Sequence, residues 1–92
     1  MTIRWTPTAL ADLECLHAYI SGDHPNAAAD TVDGVVSGID ALTRNPYMGR
    51  KGRVAGTREL VVFPFVVAYR PKKNCIEVLG VIHGARRWPD SF

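Results

Sequence analysis

The chain has 92 residues, 47% hydrophobic and 22% charged, which suits one globular domain over 1–92 and argues against disorder. Its longest strongly apolar run, residues 60–69 (LVVFPFVVAY), is broken by Pro64 and is too short for a membrane helix, which needs roughly 20 residues; no apolar stretch near Arg4 and Trp5 suggests export, so a cytoplasmic protein with no membrane partner is expected. The net charge of +2 conceals two unlike halves: residues 1–43 hold one base and six acids (−5), and residues 44–92 hold ten bases and three acids (+7).

Thr2 to Trp5 (TIRW) is β-branched and aromatic, which predicts a strand. A helix start follows. Thr6 is a candidate N-cap, with Thr8 as the alternative, and Pro7 suits the first helical position. Ala9, Leu13, Leu16 and Ile20 then recur on one helical face until Ser21-Gly22-Asp23 ends the pattern. After His24-Pro25-Asn26 a second helix is predicted over 25–43, with Val32, Val35, Val36, Ile39 and Leu42 on one face. Gly34 and Gly38 lie one turn apart in it, and each is less favourable there than alanine by about 1 kcal/mol, so close approach to a neighbouring helix is expected. Asn45-Pro46 stops the helix, because a residue before proline is pushed out of the α region.

Residues 47–56 (YMGRKGRVAG) read as a loop rich in glycine and base. Three apolar runs follow, 58–62 (RELVV), 65–70 (FVVAYR) and 75–82 (CIEVLGVI), separated by Phe63-Pro64 and Pro71-Lys72-Lys73-Asn74. β-branched residues between turn signals predict an antiparallel meander. The expected fold is α+β: an N-terminal strand at a sheet edge, and a two-helix antiparallel hairpin packed on a mainly antiparallel sheet of three to four strands. The tail 83–92 (HGARRWPDSF) has no periodicity.

Two basic groups are candidate binding residues. One is Arg50, Lys51, Arg53 and Arg58 in the loop and the strand after it; the other is His83, Arg86, Arg87 and Trp88 past the last strand. Arginines pair with phosphate or carboxylate, and a tryptophan stacks on a base or fills an apolar pocket. Each group also has a plainer reading, as a solvated loop and as a tail folded back on the core. The charge split is equally open: a basic face for an acidic partner, or two halves that neutralise each other. Glu59 and Glu77 read as isolated sheet-surface carboxylates. His17, His24 and His83 have no metal-ligand spacing, and Cys15 and Cys75 read as reduced thiols, so neither metal nor cofactor is expected. No serine triad, Walker loop or dinucleotide fingerprint occurs.

Three segments in order resemble the ParE/RelE toxin superfamily over nearly the whole chain: 42–49 (LTRNPYMG), 53–69 (RVAGTRELVVFPFVVAY) and 78–89 (VLGVIHGARRWP). The resemblance implies the toxin of a type II toxin–antitoxin pair, held inactive by a cognate antitoxin in a hetero-oligomer. RelE-type members cut messenger RNA on the ribosome; in this sequence Arg86 matches one of their catalytic arginines and His83 would assist. Val66 stands where the other catalytic arginine belongs, and Phe92 lacks the hydroxyl of their tyrosine. ParE-type members are associated with poisoning DNA gyrase, and the Arg-Glu hairpin and the 83–89 tail are more similar to that branch. The expectation is a binding-type gyrase inhibitor, with a ribosome-dependent endoribonuclease as the alternative.

Overall fold

The computed structural model describes residues 1–22, 25–84, 88–89 and 92. In chain order the elements are β1 (Thr2–Trp5), α1 (Pro7–Ser21), α2 (Pro25–Ala41), β2 (Arg50–Lys51), β3 (Arg58–Val62), β4 (Phe65–Pro71) and β5 (Cys75–His83). The strands form one sheet in the order β1-β5-β4-β3-β2. All neighbours are antiparallel except β1, which lies parallel to β5 at the edge. The sheet therefore has five strands where three to four were expected. The additional one is β2, two residues of the glycine-rich loop whose backbone pairs with Arg58 and Glu59, and no side-chain pattern announces so short a strand.

Thr6 caps α1 as its position suggests: its Oγ1 accepts the Ala9 N–H at 3.2 Å. The same hydroxyl donates to the Val78 carbonyl at 2.8 Å, so one side chain both starts the helix and ties it to β5. One face of the helical hairpin supplies Ala9, Leu16, Val35, Ile39 and Leu42 to the core, and the sheet supplies Val67, Tyr69, Ile76, Val78 and Val81. Val36, expected on the buried face of α2, is exposed. The side chain of Ile20, expected on that of α1, lies outside the described residues. Gly34 and Gly38 approach the sheet and not a helix: a Cβ at Gly38 would meet Val62 at 3.2 Å and Leu60 at 3.3 Å.

The β4–β5 register shifts between Ala68 and Tyr69, which oppose Gly80 and Val78, and Leu79 is left as the extra residue. This bulge keeps Val78 and Val81 in the same core although they are three positions apart. β1 ends opposite Val78, which leaves the next stretch of β5 at an open edge. Asp12 of α1 closes it, accepting the Val81 N–H at 3.0 Å. Among the described residues, no helix is long and apolar enough to cross a membrane.

Candidate binding face

Strand alternation divides the sheet residues between two faces. Register places Leu60, Val62, Phe65, Val67 and Tyr69 toward the helices, and Glu59, Val61, Val66, Ala68, Arg70 and Glu77 on the outer face. An outer face without helices is expected to be wet and polar. Much of it is not: Val66, Ala68 and Ile82 are buried, and so are both carboxylates, Glu59 at 2% and Glu77 at 7% exposure. The chain beyond β5 supplies part of the cover. Phe92 lies close enough that a Cβ on Gly80 would meet its ring at 3.3 Å, and Trp88 reaches this side through Arg53, whose guanidinium lies 4.1 Å from the centre of the indole ring.

Each buried carboxylate gathers bases around it, so neither is isolated. Glu59 accepts from Arg50 Nε at 3.0 Å and Arg50 Nη2 at 2.9 Å with one oxygen. Its other oxygen accepts the Arg53 backbone N–H at 2.8 Å and pairs with Arg53 Nε at 3.6 Å. Glu77 pairs with Arg4 at 3.3 Å, Arg70 at 3.2 Å and Lys72 at 3.3 Å. Burial pushes the Glu77 carboxyl up. The Lys72 hydrogen bond and charge, the Arg4 charge and the Arg70 hydrogen bond outweigh it, so the pKa is held below the usual carboxylate range.

Arg58 takes a third course. Register puts it on the helix side, where its Nη1 donates to the Gly49 carbonyl at 2.8 Å and its guanidinium lies 4.8 Å from the centre of the Tyr47 ring. Beside it the Tyr69 hydroxyl donates to the Pro46 carbonyl at 2.7 Å and accepts the Gly49 N–H at 3.0 Å. Burial raises the Tyr69 pKa above its ordinary value, against the lowering pull of the Gly49 hydrogen bond and the Arg58 charge. Glycine is required at 49 by space: a Cβ there would lie 2.7 Å from the Tyr69 hydroxyl and 2.8 Å from the Glu59 carbonyl. At Gly56 the requirement is conformational, with φ at +77°.

The candidate residues therefore separate. Arg50 and Arg53 are committed to Glu59, Arg58 to backbone carbonyls, and Lys51 is exposed with no ion pair among the described residues. Trp88 joins the loop group through Arg53. His83 ends β5 and is exposed, its ring edge-on to Phe65 at 5.5 Å between centroids. Arg86 and Arg87 lie outside the described residues. What sequence reasoning missed is Glu59 and Glu77, whose signal was the arginines and lysine that strand register brings beside them.

The two halves of the chain are only partly paired among the described residues. Among the described residues the ion pairs joining them are Arg4 with Glu77 and Arg44 with Asp40, while Glu14, Asp30 and Asp33 of the helices have none. No group of three histidine, cysteine or carboxylate side chains among the described residues has metal-binding geometry.

A family model for the ParE toxin of the type II toxin–antitoxin system parDE matches residues 3–88. The chain belongs to the ParE toxin family. Within the ParE/RelE superfamily it is 43% identical over 89 residues to the toxin Y4kP of Sinorhizobium fredii, covering 95% of this chain and 92% of that one. It is 35% identical over 83 residues to toxin RelE2 of Caulobacter vibrioides, covering 89% and 93% of the two chains. A chain in the solved structure of the chromosomal ParDE TA system from P. aeruginosa superposes with a TM-score of 0.80 at 27% identity, covering 90% of this chain and 95% of that one. The ParE fold, with its helical hairpin on one side of the sheet, thus accounts for nearly all of the described chain.

Proposed function

We propose that this ParE-family toxin arrests growth by binding DNA gyrase or a related topoisomerase, and that a cognate antitoxin holds it inactive in a hetero-oligomer. The observation that carries the non-catalytic reading is Val66. At the position where RNA-cleaving relatives place a catalytic arginine, this chain has an aliphatic side chain buried at 4% exposure in β4. Phe92, in the place of their tyrosine, offers no hydroxyl. Cleavage by the RNA 2′-hydroxyl needs a base, an acid and a cation on the developing charge, and His83 with Arg86 supplies part of that set.

The binding residues proposed are Arg50, Lys51, Arg53, Arg58, His83, Arg86, Arg87 and Trp88. Lys51, Arg86 and Arg87 would meet the acidic partner. Arg50, Arg53 and Trp88 would shape the surface from which they act. The +7 formal charge of residues 44–92 favours an antitoxin segment rich in carboxylates, whose affinity falls with salt.

The test is gyrase-catalysed supercoiling of relaxed plasmid with purified toxin. Inhibition that antitoxin reverses is the expected result; full supercoiling at large toxin excess would refute the reading. The endonuclease alternative is favoured by the likeness to toxin RelE2 and by the exposed His83. It requires A-site cleavage of messenger RNA on translating ribosomes, abolished by Arg86→Ala.

A further inference from the structure

The outer face joins two segments that the sequence keeps 35 positions apart, Arg53 in the loop and Trp88 in the tail. Arg53 has two tethers to Glu59, the backbone N–H at 2.8 Å and the side-chain Nε at 3.6 Å. Its guanidinium then lies over the Trp88 ring, 4.1 Å from the centre. A cation over an indole face is the most favourable arrangement of this kind, and it strengthens as water is excluded. The indole N–H is buried and has no hydrogen-bond partner among the described residues, so no directional bond of its own to them holds the ring. Trp88 depends on burial and on where Arg53 is held.

We propose that Glu59 is the positioning residue of the C-terminal tail, acting through Arg53 on Trp88. The carboxylate itself is buried and bonded to Arg50 and Arg53. It aligns the guanidinium, and the guanidinium fixes the indole of Trp88. One of the four loop bases, Arg53, thus serves to set the tail, and the basic loop and basic tail behave as one unit. This deepens the proposed function, because it names what would hold the target-facing segment in register.

Glu77 provides an internal control. It is buried on the same outer face and gathers three cations, yet among the described residues no hydrogen bond, ion pair or ring contact joins those cations to Trp88. The probe is Trp88 fluorescence in a Trp5→Phe background, with accessibility measured by acrylamide quenching and folding by far-ultraviolet circular dichroism. Glu59→Gln and, separately, Arg53→Gln are expected to raise the quenching constant about threefold, the loss expected when a partly exposed cation–π contact goes. Arg53→Gln leaves the Arg50–Glu59 pair in place and serves if Glu59→Gln fails to fold. Glu77→Gln is expected to lower stability without changing Trp88 quenching.

The supercoiling assay supplies the second readout, where Glu59→Gln is expected to weaken inhibition about tenfold and Glu77→Gln to leave it as it was. Trp88 equally protected in the wild type and in Arg53→Gln would overturn the proposal. So would Glu77→Gln exposing Trp88 as much as Glu59→Gln, since general loosening would then suffice. A wild-type chain that leaves gyrase untouched would remove the gyrase reading only, and the quenching series would still decide whether Glu59 positions the tail.

Discussion

Tyr69→Phe removes one oxygen atom from a fully buried side chain and tests how the loop is fastened to the sheet. That hydroxyl serves two backbone groups, the Pro46 carbonyl at 2.7 Å and the Gly49 N–H at 3.0 Å. The phenylalanine ring fills the same space, so packing is retained and hydrogen bonding alone is lost. Gly49 is buried, and its N–H would be stranded at a cost of about 1–3 kcal/mol. Pro46 is only partly buried, so its carbonyl can turn to water. Relief from burying the hydroxyl offsets some of the loss, and a net destabilisation of about 2 kcal/mol is expected. For a domain of this length that corresponds to a fall in Tm of about 10 °C.

Thermal melts followed by circular dichroism measure the change, with urea melts to check that the m value is unaltered. Hydrogen exchange at the Gly49 amide, accelerated beyond the global effect, would locate it. A drop of less than about 2 °C would refute the reasoning, because it would mean that water replaces the hydroxyl without loss. The alkaline limb gives a further check on the same group. A tyrosine pKa raised by folding stabilises the protein fully below about 10, and that contribution is lost as pH rises through the raised value. Tyr69→Phe should lack this group's share of the alkaline loss.

Four other substitutions have defined outcomes. Glu77 carries a lowered pKa, so its contribution is present above the ordinary carboxylate pKa of about 4.3 and is lost as pH falls through the folded value. Glu77→Gln should therefore be less stable than the wild type at neutral pH and converge with it in acid; parallel Tm profiles across that range would contradict the assignment. Asp12→Ala should cost about 1–2 kcal/mol in urea melts, by stranding the Val81 N–H at the β5 edge, and an unchanged midpoint would show that solvent satisfies it. Gly34→Ala and Gly38→Ala should move apart. The first gains about 1 kcal/mol of helix propensity, with its nearest neighbour, Val62, at 3.9 Å, while the second meets Val62 at 3.2 Å and loses that gain to crowding. Equal shifts in Tm would show that α2 moves freely on the sheet.

The legible parts of this fold are those written in local chemistry. Thr6-Pro7 announces α1, Asn45-Pro46 closes the region after α2, and alternating β-branched runs mark β3, β4 and β5. The two-residue β2 and the extra Leu79 are set by backbone pairing across the sheet, which composition does not encode. Val36 shows the limit of periodicity, since a valine at helical spacing can fall just outside the buried stripe, here 44% exposed. The basic loop was visible as charge, but its division was not. Whether an arginine faces solvent or a buried carboxylate depends on register, and Glu59 lies opposite Arg50 only once β2 has paired.

The strand that completes the sheet is also the last to be synthesised. β5 lies between β1 and β4, and Ile3 and Trp5 of β1 stand against Ile76 and Val78 of β5. Until Cys75 and its successors leave the ribosome, the amino-terminal strand has no neighbour, and the Thr6 hydroxyl and Asp12 carboxylate lack their acceptor and donor on β5. Ordering the first five residues early would forfeit chain entropy with few contacts in return. Such a nascent polypeptide keeps its sheet unfinished until β5 has emerged to receive β1.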